Sequence, residues 1–202
     1  RPSLIEKVAA QANAPVLKTA MGNCYLYWSL SGDLELTRSI ILDSHASEPD
    51  PVNAIEKVLI DVNKKTTFLL RLFNSLKENG FELKGDATLI SEFPEYLKPA
   101  SEEEWTKPYL NKTIAFRVVN NLAEAIALMN KYSSSHANCL VTESYEESRQ
   151  FTQNIDSALV YVNASPKFSR KPSRGESVFL GVSNQKGNRR GLIGLESLTT
   201  LK

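Results

Sequence analysis

The chain has 202 residues, of which 42% are hydrophobic and 23% charged, and its 24 basic and 23 acidic residues give a formal net charge of +1 at pH 7. A chain of this length can bury one substantial core, so we expect a single domain over residues 1–202. Because no apolar run approaches the roughly 20 residues that cross a bilayer, and Arg1-Pro2-Ser3 begins no signal-peptide pattern, we expect a soluble, cytoplasmic protein without membrane partners.

Hydrophobic spacing and capping residues predict five elements before residue 81. They are, in chain order, a helix over Ser3–Ala14, a short aromatic strand over Cys24–Trp28, a helix capped by Asp33 that runs toward His45, a strand over Glu56–Val62, and a helix over Thr66–Asn79. Gly80 follows the last helix, where a left-handed C-terminal cap is common. Pro49 and Pro51 separate the second helix from the strand that follows it.

Residues 84–111 form the least regular part of the sequence, because Pro94, Pro99 and Pro108 interrupt any long element. We interpret this stretch as a surface excursion. Within it, Ser101 and Glu104 have the spacing of a capping box, which predicts one short helix.

From Thr113 onward, strands and helices alternate. The predicted order is a strand from Thr113, a helix opened by Asn121, a strand over Asn138–Val141, a helix opened by Ser144, and a strand over Ala158–Val162. The last strand is apolar throughout, as expected for a strand buried on both faces. Strand-helix-strand order implies parallel neighbours joined by right-handed crossovers. We therefore predict an α/β fold of three layers, with a mostly parallel sheet and helices on both of its faces.

Charge is distributed unevenly along the chain. Residues 163–202 carry eight basic and two acidic residues, a net charge of +6, which leaves −5 for residues 1–162. This basic tail either holds an anion or is a solvated loop. Nucleic acid is not expected as a partner, because the basic cluster contains a single aromatic residue, Phe168, and no nucleic-acid-binding motif accompanies it.

The cysteines and histidines give little sign of metal or thiol chemistry. Cys24 and Cys139 lie in apolar runs, so we expect buried thiols in which the thiolate is disfavoured. Neither His45 nor His136 has a second ligand at a short regular spacing, so we expect no metal site. A nucleophilic pair of cysteine and histidine remains open only if the fold brings a thiol beside one of the histidines.

The loop Asn163-Ala164-Ser165 directly follows the last predicted strand. In open parallel sheets, ligands collect outside the carboxyl ends of the strands, where backbone N–H groups and small side chains can receive an anion. We therefore predict that this loop binds a substrate carboxylate. The alternative is that Asn163 only caps the end of the strand.

The segment Pro49–Ile60 resembles the P-x-x-C-N-A-x-E-x-L-L segment of gamma-glutamyl phosphate reductase, also called glutamate-5-semialdehyde dehydrogenase, a branch of the aldehyde dehydrogenase superfamily. Pro49 lies three residues before Val52, and Asn53, Ala54 and Glu56 follow without an insertion. Val52 stands where this family has its nucleophilic cysteine. Valine offers no lone pair, so no catalytic residue is assigned, and Asn53 is noted only as the neighbour of that position.

The resemblance continues in order along nearly the whole chain. Its further motifs are Pro15-Val16-Leu17, Gly22-Asn23-Cys24, Trp105, Arg117-Val118-Val119, Ser135-His136, Val141-Thr142-Glu143, Asn163-Ala164-Ser165, Gly181-Val182-Ser183-Asn184-Gln185-Lys186, Arg190-Gly191 and Leu198-Thr199-Thr200-Leu201-Lys202. Two segments depart from the family pattern: Tyr25 replaces a histidine, and residues 175–179 replace a glycine-rich segment. A site that has changed at several positions favours lost or impaired activity.

The resemblance implies a C-terminal catalytic domain of the aldehyde dehydrogenase type, from the NADPH-dependent reduction of L-glutamyl 5-phosphate to L-glutamate 5-semialdehyde in proline biosynthesis. NADP(H) would be bound mainly by a domain outside this chain, because this chain has no glycine-rich dinucleotide fingerprint. We therefore expect an excised domain that binds no cofactor itself. The loop at Asn163 and Ala164 would hold the glutamyl group, with a hydrogen bond from Ser165 and charge neutralisation by Lys167 or Arg170.

Three functions stay open at this point. The first is a working reductase in which another group replaces the cysteine. The second is a catalytically silent paralogue that binds a small anionic metabolite or a protein partner, and the third is an anion or nucleic-acid binder that uses the basic tail. We also expect a homo-oligomer, because Leu195–Lys202 is predicted to be a terminal strand of the kind that this superfamily adds to a neighbouring subunit's sheet.

Overall fold

A computed structural model describes residues 2–19, 22–46, 51–169, 178–185 and 190–199. Its main feature is a seven-stranded, entirely parallel sheet with the strand order β4-β3-β5-β2-β1-β6-β7. The strands are β1 (Cys24–Trp28), β2 (Ile55–Asp61), β3 (Glu82–Gly85), β4 (Lys98–Pro99), β5 (Thr113–Val119), β6 (Ala137–Val141) and β7 (Leu159–Val162). A separate antiparallel hairpin pairs β8 (Gly181–Ser183) with β9 (Gly191–Ile193).

Six α-helices accompany the sheet in the part of the chain that the structure describes. They are α1 (Pro2–Gln11), α2 (Leu34–Ser44), α3 (Thr66–Glu78), α4 (Ala87–Glu92), α5 (Leu122–Tyr132) and α6 (Tyr145–Asn154). Helices α2, α3 and α4 bury their apolar residues in a cluster on one face of the sheet, and α5 and α6 do so on the other face. The predicted three-layer α/β architecture is confirmed. Among the described residues, no helix combines the length and the apolar character needed to cross a bilayer.

The helix starts were readable from local chemistry. Asp33, Asn121 and Ser144 each accept a hydrogen bond from the backbone nitrogen three residues later, at 2.7, 3.0 and 3.3 Å, as their positions predicted. Asp86 caps α4 in the same way, with a bond of 2.9 Å from Leu89 N. Since α2, α4, α5 and α6 all begin where a strand has just ended, these four caps line the carboxyl edge of the sheet.

The interpretation of residues 84–111 as a surface excursion is wrong in part. The stretch contributes the end of β3, all of α4 and β4, and it buries Leu89, Phe93 and Trp105 in the domain. The three prolines shorten these elements but do not keep them out of the core. The predicted short helix is confirmed as a 3-10 helix over Glu102–Thr106, with the capping box of Ser101 and Glu104 in place.

Two predictions about strands need correction. The predicted strand over Ala158–Val162 is β7, but it is half-buried, because it lies at the edge of the sheet and pairs only with β6 among the described residues. The predicted terminal strand begins as a 3-10 helix over Leu195–Leu198. Residues 200–202 of that segment lie outside the described residues.

Candidate functional site

The position that the resemblance singles out lies in a tight turn directly before β2. The turn is closed by a hydrogen bond of 2.9 Å from Ala54 N to Pro51 O. Val52 is half-buried within it, and its carbonyl oxygen accepts a bond of 3.1 Å from Gly22 N. Because β2 is a central strand, this turn sits at the middle of the amino edge of the sheet. Pro49 and Asp50, which precede the turn, lie outside the described residues.

Gly22 is required by close packing. A Cβ at this position would lie 2.2 Å from Val52 O and 2.9 Å from Cys24 Sγ, both far inside van der Waals contact. The backbone before β1 therefore approaches the turn as closely as glycine alone allows.

Asn53 anchors the turn from inside the protein. Its side chain is fully buried, and Nδ2 donates a hydrogen bond of 3.1 Å to Pro166 O. Its Oδ1 atom has no hydrogen-bond partner among the described residues. The bond to Pro166 ties the turn to a distant part of the chain, so the position of Val52 depends on this contact.

The start of β1 is tied to the 3-10 helix and to the end of α5. Asn23 Nδ2 donates to Trp105 O at 2.8 Å and to Tyr132 O at 3.1 Å. The hydroxyl of Tyr25 donates to the same Trp105 oxygen at 2.6 Å. Tyr25, which the resemblance marks as a departure from a histidine, is thus a buried structural donor in this protein.

A buried ion pair follows the turn. Glu56 and Lys57 are 2% and 0% exposed, and their charged atoms lie 3.8 Å apart. The Glu56 carboxylate accepts bonds from Tyr109 N at 2.5 Å and Leu110 N at 2.7 Å, and Lys57 Nζ donates to Lys107 O at 3.2 Å. Burial raises the pKa of Glu56 and lowers the pKa of Lys57 to about 8.

Neither cysteine can act as a nucleophile in this conformation. Cys24 and Cys139 are fully buried, as predicted, and burial raises the pKa of Cys24 to about 12 and that of Cys139 well above its usual range. His45 Nε2 is hydrogen-bonded to Ile55 O at 2.9 Å, and His136 Nδ1 lies 3.2 Å from Ser134 Oγ. These contacts give both histidines structural roles.

The predicted substrate loop runs between the two edges of the sheet. Asn163 lies at the carboxyl edge with φ of 52°, and its side chain accepts from Thr142 N at 2.9 Å and donates to Thr142 O at 2.7 Å. Both ends of its amide are therefore used to join β7 to the end of β6, as the capping alternative proposed. The chain then turns back toward the amino edge, where Pro166 O meets Asn53.

This path separates the predicted binding residues. Ser165 Oγ accepts a bond of 3.2 Å from Lys167 N, and Lys167 Nζ pairs with Asp43 at 3.2 Å near the end of α2. Ser165 and Lys167 flank Pro166 and so lie on the side of the Val52 turn, whereas Asn163 does not. Of the remaining basic tail, Arg190 pairs with Asp156 at 2.6 Å. Lying outside the described residues are Arg170, Lys171, Arg174, Lys186, Arg189 and Lys202.

Four helices that begin at the carboxyl edge are capped by the side chains of Asp33, Asp86, Asn121 and Ser144. The N-terminus of α3, at Lys65, lies at the same edge and has no side-chain cap. The described residues also contain no group of three or more His, Cys, Asp or Glu side chains placed to hold a metal ion.

Sequence reasoning missed the polar contacts that hold the turn in place. Lys57 was not singled out, and Gly22 and Trp105 entered only as part of the resemblance. One signal was present: Glu56 and Lys57 interrupt the apolar run Ile55–Ile60, and charged neighbours inside a buried strand must find partners.

The parallel sheet, its two helical layers and the turn before β2 define a domain of the aldehyde dehydrogenase fold. Lactaldehyde dehydrogenase from Escherichia coli shares this fold, with a TM-score of 0.70 over 98% of this chain and 49% of that chain at 14% identity. No family model matches the sequence.

Closer relatives narrow the class to one branch of the superfamily. The chain is 57% identical over all 202 residues to gamma-glutamyl phosphate reductase 2 of Synechocystis, covering 48% of that protein. The crystal structure of gamma-glutamyl phosphate reductase from Thermotoga maritima superposes with a TM-score of 0.90 at 36% identity, over 99% of this chain and 48% of that chain. The chain is therefore a homologue of gamma-glutamyl phosphate reductases along its whole length, which confirms the resemblance. It spans about half the length of the relatives it matches.

Proposed function

We propose that this chain is the part of a gamma-glutamyl phosphate reductase-like protein that presents residue 52 to the substrate, and that Val52 leaves this part without a covalent step. The observation that carries the proposal is the turn itself. It is anchored through Gly22 and Asn53 and keeps residue 52 half-buried at the amino edge. The scaffold of a reactive position is thus present around a side chain that cannot react.

The proposed chemistry depends on one lone pair. In the reductases that the chain resembles, a thiolate attacks the acyl phosphate, a thioester forms and phosphate leaves. Valine has neither a proton to lose nor electrons to donate. Cys24 cannot replace it in this conformation, because it is fully buried and burial raises its pKa to about 12. Each factor of ten lost in rate corresponds to about 1.4 kcal/mol of barrier, and loss of a covalent nucleophile usually costs several such factors.

A reductase function also implies a hydride donor, NADP(H), which transfers a hydride, that is, one proton with two electrons, to the acyl carbon. This sequence has no glycine-rich dinucleotide fingerprint. We therefore propose that the dinucleotide is held by the part of the relatives' length that this chain does not span. The contribution of the present residues is then to bind and orient the substrate at the turn.

The test is to install the missing thiol by Val52→Cys in the full-length protein. We expect no NADPH oxidation with glutamyl phosphate in the unmodified protein. We expect iodoacetamide to label Val52→Cys while Cys24 and Cys139 stay unlabelled in the folded state. The matched control is Val62→Cys, because Val62 lies just after the other end of β2 and is 51% exposed. Its thiol should be alkylated at the rate of an ordinary exposed cysteine.

Two outcomes would decide against the proposal. Robust reductase activity in the unmodified protein would require a nucleophile other than residue 52. A Val52→Cys thiol that resists labelling under conditions where Val62→Cys reacts fully would show that residue 52 does not face the substrate.

A second function is supported by the path of residues 163–168. We propose that a silent paralogue of this kind binds a small anionic metabolite, because Ser165 and Lys167 flank the residue that contacts Asn53 beside the turn. A ligand at a hundred times its dissociation constant should stabilise the protein by about 2.7 kcal/mol. Calorimetric titration with glutamate, phosphate and pyrophosphate tests this, with Ser165→Ala, Arg170→Ala as the variant expected to lose the effect. A flat titration with all three would leave the basic tail as a solvated loop.

We also propose a homo-oligomer, since β7 is an edge strand with one unpaired side among the described residues. The measurement is light scattering of the protein with and without residues 195–202. A lower mass after truncation supports a role for this end of the chain, and a monomer in both forms contradicts it.

A further inference from the structure

The turn at Val52 belongs to a closed ring of contacts. Three hydrogen bonds make the ring: Gly22 N to Val52 O at 3.1 Å, Asn23 Nδ2 to Trp105 O at 2.8 Å, and Tyr109 N to Glu56 Oε2 at 2.5 Å. The covalent chain supplies the rest, since Gly22 adjoins Asn23, residues 105–109 are continuous, and β2 leads back from Glu56 to the turn. The segment Trp105–Leu110, here called the bridge, therefore connects the starts of β1 and β2 across the candidate site.

Glu56 reaches the bridge because of an irregularity in the sheet. Cys24 lies opposite Ile55 and Tyr25 lies opposite Lys57, so Glu56 has no opposite residue on β1. An extra residue of this kind bends the strand and turns its side chain in a new direction. The irregularity falls two residues after the turn, where a change in the direction of β2 acts directly on residues 52–54.

Glu56 and Lys57 hold the bridge in a strained backbone conformation. Leu110 has φ of 57°, a left-handed conformation that a branched apolar side chain disfavours. The Glu56 carboxylate binds the backbone N–H groups of both Tyr109 and Leu110 and so stabilises that conformation. Lys57 reinforces the contact, because its Nζ lies 3.7 Å from the centroid of the Tyr109 ring.

We propose that Glu56 and Asn23 are positioning residues for the candidate site: through the bridge they fix the separation of the starts of β1 and β2 and thereby the Gly22–Val52 hydrogen bond that orients residue 52. This inference rests on the proposed function in one respect, since the proposed function is the reason why the orientation of residue 52 matters. Glu56 holds one end of the bridge, and Asn23 holds the other end together with the hydroxyl of Tyr25, which donates to the same Trp105 oxygen. Breaking either end should loosen the turn in the same way.

The test is amide hydrogen exchange, followed by NMR on the full-length protein, in Glu56→Gln and in the double variant Asn23→Ala, Tyr25→Phe. Two amides report on the turn, Gly22 N–H and Ala54 N–H, and we expect both to exchange about tenfold faster in each variant. Two reference amides lie at the carboxyl edge and bond across the sheet: Asp86 N to Phe116 O at 3.0 Å, and Asn163 N to Leu140 O at 2.9 Å. Their exchange should change much less.

The matched control is Glu82→Gln. It also removes one strand carboxylate with a lysine partner, Lys98 at 3.2 Å, but this pair is exposed and lies outside the ring. The control should leave all four amides unchanged. Equal acceleration of all four amides in both ring variants would mean general destabilisation and would overturn the proposal, as would an unchanged Gly22 amide.

The double variant removes both side-chain donors to Trp105 O and so breaks the ring on the side opposite Glu56. The test therefore stands if Glu56→Gln fails to fold. Exchange needs no turnover, and its outcome is therefore separate from that of the reductase assay. Selective loosening of the turn in a protein with robust reductase activity supports the positioning role without the proposed function. An unaffected turn in an inactive protein refutes the positioning role alone, and an active protein with an unaffected turn refutes both.

Discussion

The backbone nitrogen of Gly22 donates a hydrogen bond of 3.1 Å to the carbonyl oxygen of Val52, and this bond joins the chain before β1 to the turn before β2. Parallel strands cannot be joined by a hairpin at this edge, so the entrances of β1 and β2 meet only through such contacts. The two segments approach so closely that the position of residue 52 depends on Gly22, thirty residues earlier, having no side chain.

A first prediction compares two glycines. Gly22→Ala would place its Cβ 2.2 Å from Val52 O, so we expect it to cost about 3 kcal/mol of unfolding free energy through overpacking and loss of the hydrogen bond. Gly80→Ala is the control: it has open space around it but a φ of 81°, and we expect a cost of about 1 kcal/mol from backbone strain alone. Urea denaturation measures both. A smaller cost at Gly22 than at Gly80 would show that the turn yields easily.

A second prediction concerns Lys64, which closes the loop between β1 and α2. Its Nζ donates to Ser29 O at 2.7 Å, Leu30 O at 2.9 Å and Gly32 O at 2.7 Å, and the side chain is largely buried. Lys64→Met keeps the apolar stem but leaves three carbonyls without their donor, so we expect a loss of about 2–4 kcal/mol. The neighbouring exposed Lys65→Met should stay within about 0.5 kcal/mol of wild type in the same denaturation experiment. Similar costs for the two lysines would contradict the role of the three bonds.

Stability should depend on pH through Lys57. Burial lowers its pKa to about 8 in the folded protein, whereas an unfolded lysine keeps its proton to about pH 10. Between these values the unfolded chain binds more protons, so the contribution of Lys57 raises stability as pH increases, by up to about 1.4 kcal/mol per pH unit. The buried thiols of Cys24 and Cys139 have raised pKa values and act in the opposite direction.

The measurement that isolates Lys57 is the difference in unfolding free energy between wild type and Lys57→Met. Measured from pH 7 to 9.5, this difference should shift in favour of wild type as pH rises, because only wild type is relieved of a buried charge. Lys64, whose pKa burial also lowers to about 8, provides a second case through Lys64→Met. A difference that does not vary with pH would mean that Lys57 keeps its proton in the folded state.

The elements that local chemistry determines were predictable from sequence, and those that depend on neighbours were not. Asp33, Asn121 and Ser144 specify helix starts within four residues of chain, so their positions were correct. β3 was missed because its four residues alternate polar and apolar character over too short a length to stand out. The edge position of β7 follows from strand order, which no single segment encodes.

The same division applies to the candidate site. The segment around Val52 was found because it is continuous in sequence. Its supports were not, since Asn53 bonds to Pro166 over 113 residues and Asn23 bonds to Trp105 over 82 residues. Such pairs form only when the sheet has brought its strand entrances together, and no spacing along the chain indicates them.

The last prediction separates the two roles proposed for residues 163–165. Asn163 has a positive φ and uses both ends of its amide on the Thr142 backbone, so its side chain is held in a structural role at the carboxyl edge. Asn163→Ala should therefore cost about 2–3 kcal/mol of unfolding free energy, and Asn163→Asp, which keeps the acceptor and loses the donor, somewhat less. Neither should change the affinity for glutamate or phosphate. Ser165→Ala should do the reverse, because its hydroxyl makes only a local bond to Lys167 N and lies on the side of the turn. Thermal shifts of the three variants with and without ligand give both the stability and the ligand affinity. A loss of anion affinity confined to the Asn163 variants would place the binding site at the carboxyl edge.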